Sequence, residues 1–225
     1  MTSQGSEAPR PAERRHRWLR IEFLCLFLAA PVFLAVFLPP SAMIPALFSV
    51  TILGTILLHR TPGFRWRDLA RGWNRIDWKV VAAFAIATTV VSAGILMALL
   101  PYRWLAVLRM NPWMWLAIIG LYPFLSALPQ EIVFRALFFR RYGPILPPAR
   151  AALALNAAVF SLAHLLYWNW IVATLTFAGG LVFAWAYEVR GSFPLAAVLH
   201  AVAGNILFTV GIGAFFYTGT ISRPF

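Results

Sequence analysis

Seven acidic side chains occur in the 225 residues, and only Glu131 both follows a long apolar run and opens another. Glu7, Glu13, Asp68, Asp77 and Glu188 fall in loops or near the N-terminus, and Glu22 begins the first apolar run. A charged side chain at membrane depth costs roughly 2.5 to 3.5 kcal/mol on insertion scales, so it faces a partner or a cavity. Arg135 stands one helical turn beyond Glu131 and can pair with it along one face of Gln130-Glu131-Ile132-Val133-Phe134-Arg135. Mutual neutralisation would account for those two alone. Two imidazoles ask for more: His164 closes the run from Asn156, and His200 sits inside the last apolar run with Asn205 five residues on. One carboxylate, two imidazoles and an amide suit hydrolysis. A carboxylate and an imidazole hold and deprotonate water, while a second imidazole and an amide donate to the developing oxyanion. Glu131, His164 and His200 are equally a zinc-type ligand combination, although no HExxH spacing is present, and both chemistries stay open at this level. Ser161 and Ser192 have no catalytic partner by spacing and Cys25 is remote in sequence, so nucleophile chemistry ranks lower.

The elements that must carry these residues are transmembrane helices. A chain that is 61% hydrophobic and 12% charged cannot bury its apolar surface in one water-facing core, for which about 25% charge is usual. The apolar stretches are long enough to cross a hydrocarbon layer of about 30 Å as helices, and the short alternating strands of a barrel are missing. Reading runs against breakers predicts an all-α polytopic bundle of about seven spans, near 21–38, 42–59, 79–100, 112–128, 150–168, 170–187 and 194–219. A partly polar helix is expected at 129–142. Residues 1–20 form a basic arm, 21–225 the membrane domain, and about 112–210 its chemistry-bearing part.

The net charge of +12 does not indicate nucleic acid, because the arginines separate apolar runs instead of lining a soluble basic face. With the N-terminus cytoplasmic, all 19 Lys and Arg fall on the cytoplasmic side except Arg103, Arg109 and Arg223, as the positive-inside rule requires. Gly63 to Trp78 mixes Arg, Trp and Asp with Phe64, Leu69 and Ile76, which predicts an amphipathic surface helix. Trp66, Trp73, Trp78, Trp104, Trp113, Trp115, Trp168 and Trp170 fall near span ends as an interfacial belt.

The three polar stretches together resemble the CPBP intramembrane proteases (CAAX protease and bacteriocin-processing, or ABI, family), whose pattern is EExxxR, FxxxH and a His followed four residues later by Asn or Asp. Here these read Gln130-Glu131-Ile132-Val133-Phe134-Arg135, Phe160-Ser161-Leu162-Ala163-His164 and His200-Ala201-Val202-Ala203-Gly204-Asn205. The resemblance implies an intramembrane endopeptidase acting on prenylated, lipidated or membrane-anchored proteins, and the compact size and Ala/Arg-rich composition suit a bacterial cytoplasmic membrane. The resemblance also implies residue roles: Glu131 and His164 activate water, His200 and Asn205 stabilise the oxyanion, and Arg135, Gln130 and Phe160 support them. A catalytically inactive scaffold or bacteriocin-immunity-like protein of the same fold is the alternative. Two positions depart from the pattern. Gln130 replaces the first acid, and an amide cannot take a proton. Asn205 lies five residues after His200, about 140° round an ideal helix, and a local bulge at Gly204 is the expected remedy.

Overall fold

The computed structural model describes residues 11–217, Ile221 and Arg223, leaving the side chains of Pro11, Ala12, Pro40, Met43, Ile44 and Arg75 aside. Arg10 and the end of the expected last span, 218–219, therefore lie outside the described residues. Seven long helices run through the described part: α1 (Glu13–Phe37), α2 (Pro40–His59), α3 (Trp78–Leu99), α4 (Pro112–Ile145), α5 (Ala149–Ala163), α6 (Trp170–Glu188) and α7 (Phe193–Val210). Six of them belong to segments long and apolar enough to cross a membrane, α5 together with the turn that follows it, and α2 adds an apolar run that includes Pro45–His59. The chain is a multi-pass, all-α membrane protein.

Local chemistry sets the helix ends. Asn111, Asn169 and Ser192 each accept a backbone N–H at the starts of α4, α6 and α7, and Asp77 does so for α3. Pro112 and Pro194 occupy first turns, where a missing N–H is harmless. Gly211, at φ 124°, ends α7 at Val210, short of the expected 219.

Two expectations are corrected, and the start of the first helix is located. The separate elements 112–128 and 129–142 are one helix of 34 residues, α4. Pro123 and Pro129 deprive it of two N–H donors, and the backbone relaxes into π-helical turns at Pro123–Ala127 and Ile132–Leu137 instead of breaking. The segment from Gly63 to Trp78 is a loop with two short 3-10 turns, Trp66–Asp68 and Trp73–Arg75, because Gly63 and Gly72 adopt left-handed backbone that no α-helix accommodates. Helix already begins at Pro11, so the described part of the basic arm runs straight into the first span.

The bundle closes around the middle of α4. Helix α6 lies between α5 and α7, α7 also packs on α3 and α4, and the second π segment of α4 packs on α2. Gly180 of α6 lets the backbone of Ala157 on α5 approach so closely that a Cβ would stand 3.0 Å from its Cα. Phe23 and Phe27 of α1 interlock with Phe138 and Tyr142 of α4 at ring separations of 5.4 to 5.6 Å. Ile86 and Val90 of α3 and Phe124 of α4 stay more than 60% exposed, an apolar exterior suited to lipid. Trp78, Trp113 and Trp170 stand exposed at the first turns of α3, α4 and α6.

Candidate active site

Three helices each present a stripe of side chains spaced four residues apart: Tyr122, Ser126 and Gln130 on α4, Asn156, Phe160 and His164 on α5, and His200, Gly204 and Phe208 on α7. All except Asn156 line one cavity of about 450 Å³. A second, of about 460 Å³, lies towards α1 and α2 and shares Ser126, Gln130, His164, Tyr167 and Phe216 with the first.

Glu131 is fully buried and points into the bundle. Its Oε1 is 2.8 Å from His200 Nδ1 and its Oε2 is 3.2 Å from Arg135 Nε. Arg135, also fully buried, donates from Nη1 to Asn156 Oδ1 at 2.7 Å and to the Phe134 carbonyl at 3.3 Å. Asn156 Nδ2 donates to that same carbonyl at 2.5 Å. The guanidinium lies 4.7 Å from the centroid of the Phe160 ring and 5.6 Å from that of Phe183, cation–π contacts that offset part of its desolvation. Phe183 also stacks on His200 at 4.8 Å and 12°. The motif phenylalanine, Phe160, meets the His200 ring edge-on at 5.5 Å and that of His164 at 4.8 Å.

These contacts fix the imidazole tautomers. A carbonyl oxygen only accepts, so His164 Nδ1 carries a hydrogen and donates it to Phe160 O at 2.8 Å. His200 Nδ1 likewise donates to the Glu131 carboxylate. Each ring therefore keeps its lone pair on Nε2, and both rings line the cavity. Glu131 does not line it; its carboxylate reaches the cavity through His200.

Of the residues singled out from sequence, Glu131, Arg135, Phe160 and His200 are in mutual contact, with His164 against Phe160 and Gln130 on the cavity wall. Asn205 is not with them. Helix α7 is regular through Gly204, so the expected bulge is absent, and Asn205 turns to α4, where Nδ2 donates to the Ile119 carbonyl at 3.3 Å. Among the described residues, no three His, Cys, Asp or Glu side chains are grouped as metal ligands. Glu131 shares its carboxylate with a guanidinium 3.2 Å away and with His200. Ser161 Oγ donates to the Ala173 carbonyl and Ser192 caps α7.

Sequence reasoning passed over Asn156, Phe183, Tyr122 and Ser126. The signal for Asn156 was available, an amide four residues before Phe160 and eight before His164 inside an apolar helix. Phe183 has no such mark.

Buried in a polytopic helical bundle, a carboxylate held between an imidazole and a guanidinium reaches an intramembrane cavity through His200, an arrangement whose chemistry suits hydrolysis within a membrane. Residues 111–206, which contain all three motifs, match the family model of type II CAAX prenyl endopeptidase Rce1-like proteins. No curated protein and no solved structure matches the chain.

Proposed function

We propose that the protein is an intramembrane endopeptidase of the CAAX type that cleaves peptide bonds in prenylated, lipidated or membrane-anchored proteins, with water as the nucleophile and no metal. The observation that carries this reading is the 2.8 Å contact between the buried Glu131 carboxylate and His200 Nδ1, which leaves His200 Nε2 as a base on the cavity wall.

The chemistry follows from the charges. Two Nε2 lone pairs facing one cavity orient a water through both of its hydrogens and leave an oxygen lone pair for the scissile carbonyl. The proton goes to His200, because Glu131 stabilises the resulting imidazolium in surroundings of low dielectric. His164, whose partner is a neutral carbonyl, stays uncharged and positions the water. As the tetrahedral intermediate collapses, the C–N bond breaks and His200 returns the proton to the departing amine. Arg135 keeps the Glu131 carboxylate ionised and aimed, and Asn156 keeps Arg135 in place. In the cell the site belongs in a bacterial cytoplasmic membrane with the N-terminus inside, the orientation that the arginine distribution favours.

The test compares membrane-protein termini, without preselection, between cells carrying the wild type and cells carrying His164→Ala or Glu131→Gln. New termini should vanish in both variants when they are compared with wild type at matched membrane abundance. Gln130 in place of an acid favours the alternative of an inactive scaffold or immunity-like protein. Retained biological activity in both variants would establish that alternative.

A further inference from the structure

The proposed hydrolysis needs a hydrogen-bond donor for the oxyanion, and Asn205 has turned away from the cavity to the Ile119 carbonyl. One turn along α7 from His200, on the cavity side, stands Gly204. A Cβ there would sit 2.0 Å from Tyr122 Cε1, 2.1 Å from Cζ and 2.5 Å from the phenol oxygen. The space in which a side chain at position 204 would lie is filled by the end of Tyr122, reaching in from α4. The Tyr122 ring lies 6.2 Å from that of His200 and is braced on its other side by Phe208 at 5.8 Å.

The polar neighbours of that hydroxyl have a direction. Gln130 Nε2 donates to Ser126 Oγ at 2.9 Å, which leaves the Ser126 hydrogen free. Ser126 and Tyr122 stand one helical turn apart on the same wall of the cavity. The amide can start this series as a donor, whereas an ionised carboxylate in its place would only accept. Passing the Ser126 hydrogen on to Tyr122 would complete the series and leave the phenol hydrogen for whatever occupies the cavity. Each bond polarises the next.

We propose that Tyr122, seated against Gly204 and fed by Ser126 and Gln130, is a catalytic residue whose hydroxyl donates to the oxyanion formed when water attacks the scissile carbonyl. This rests on the endopeptidase reading. In the step, the water O–H bond breaks and its proton goes to His200 Nε2. The new C–O bond forms, the carbonyl π pair moves onto oxygen, and the Tyr122 hydrogen bonds to that oxygen. Gln130 thereby acquires a purpose that an acid at the same position would not serve.

The experiment uses the full-length protein in lipid nanodiscs with an internally quenched peptide farnesylated on its CAAX cysteine. Tyr122→Phe removes one oxygen and should lower kcat by about 10² to 10³-fold with KM little changed, the range for losing one oxyanion donor. Gln130→Glu should lower kcat at neutral pH, and a rise would overturn the relay. Gly204→Asn should be inactive and thermally labile because it collides with Tyr122. In the Tyr122→Ala background the same substitution should fit, restoring melting temperature and part of the activity that Tyr122→Ala alone loses. An active wild type beside a fully active Tyr122→Phe overturns this proposal and spares the endopeptidase reading. A wild type that cleaves neither this peptide nor any cellular membrane protein overturns both.

Discussion

Glu131→Gln separates what the carboxylate does for stability from what it does for hydrolysis. The substitution keeps the shape but removes the charge, leaving Arg135 buried with Asn156 Oδ1 and the Phe134 carbonyl as its remaining hydrogen-bond partners. Breaking a buried pair from one side costs about 3 to 5 kcal/mol. The catalytic loss has a separate origin: a glutamine can offer His200 Nδ1 either its N–H or its oxygen, so the tautomer is no longer imposed, and no charge balances the imidazolium. Neutralising the carboxylate of a carboxylate–imidazole pair lowers kcat by roughly 10⁴-fold, equivalent to about 5.4 kcal/mol at 1.36 kcal/mol per decade. The double variant Glu131→Gln/Arg135→Met distinguishes the two effects, because removing both charges from a buried pair is often neutral for stability. Thermal unfolding in detergent should show a large loss in the single variant and a substantial recovery in the double one. Hydrolysis of the farnesylated peptide should stay roughly 10⁴-fold down in both. Recovery of hydrolysis together with stability would refute the reasoning, since Glu131 would then serve only as the counter-ion of Arg135.

Asn156→Ala leaves Arg135 Nη1 without its 2.7 Å acceptor, and at about 1 to 3 kcal/mol per unsatisfied buried group it should destabilise by about 2 to 4 kcal/mol in denaturant titration. Gly180→Ala drives a methyl to 3.0 Å from the Ala157 Cα and 3.2 Å from Phe160, costing about 1 to 3 kcal/mol by thermal unfolding, and it should also lower kcat because Phe160 flanks both imidazoles. At the membrane surface, the hydrogen bond from Arg190 holds the Asp77 carboxyl below the usual range, with the backbone N–H of Val80 assisting. A depressed carboxyl stabilises above its unfolded value of about 3.9 and loses that contribution as pH falls through the folded value. The melting temperature of Asp77→Asn should therefore fall less steeply than that of the wild type on acidification below about pH 4, and equal slopes would deny the pair any role.

The membrane-spanning character and the pairing of Glu131 with Arg135 were legible from sequence, because run length, breakers and the i, i+4 rule are local. The prolines of α4 were misleading for a reason equally local in origin but not in outcome. Pro123 and Pro129 look like boundaries, yet neighbouring helices hold the chain helical and the lost bonds are absorbed as π turns. Asn205 shows the limit of counting along one helix. Its direction depends on a free carbonyl at Ile119 of α4, and the space on the cavity side is already taken by Tyr122. That Glu131 meets His200 is likewise a matter of which helices pack together, which spacing does not encode.

The unbroken length of α4 decides where the reaction can find its reagents. At about 1.5 Å per residue its 34 residues extend about 51 Å, well beyond a hydrocarbon layer of about 30 Å. A rod that long overshoots, and its C-terminal portion is tethered where charge is welcome, by Arg141 to Glu22 and by Arg140 to the Tyr187 hydroxyl. Counting back from Arg140, Glu131 lies about 14 Å below that rim. On the endopeptidase reading proposed above, the site is thus shallow: water would descend only a few turns to Glu131, while an acyl or prenyl tail would stay dissolved in the bilayer alongside.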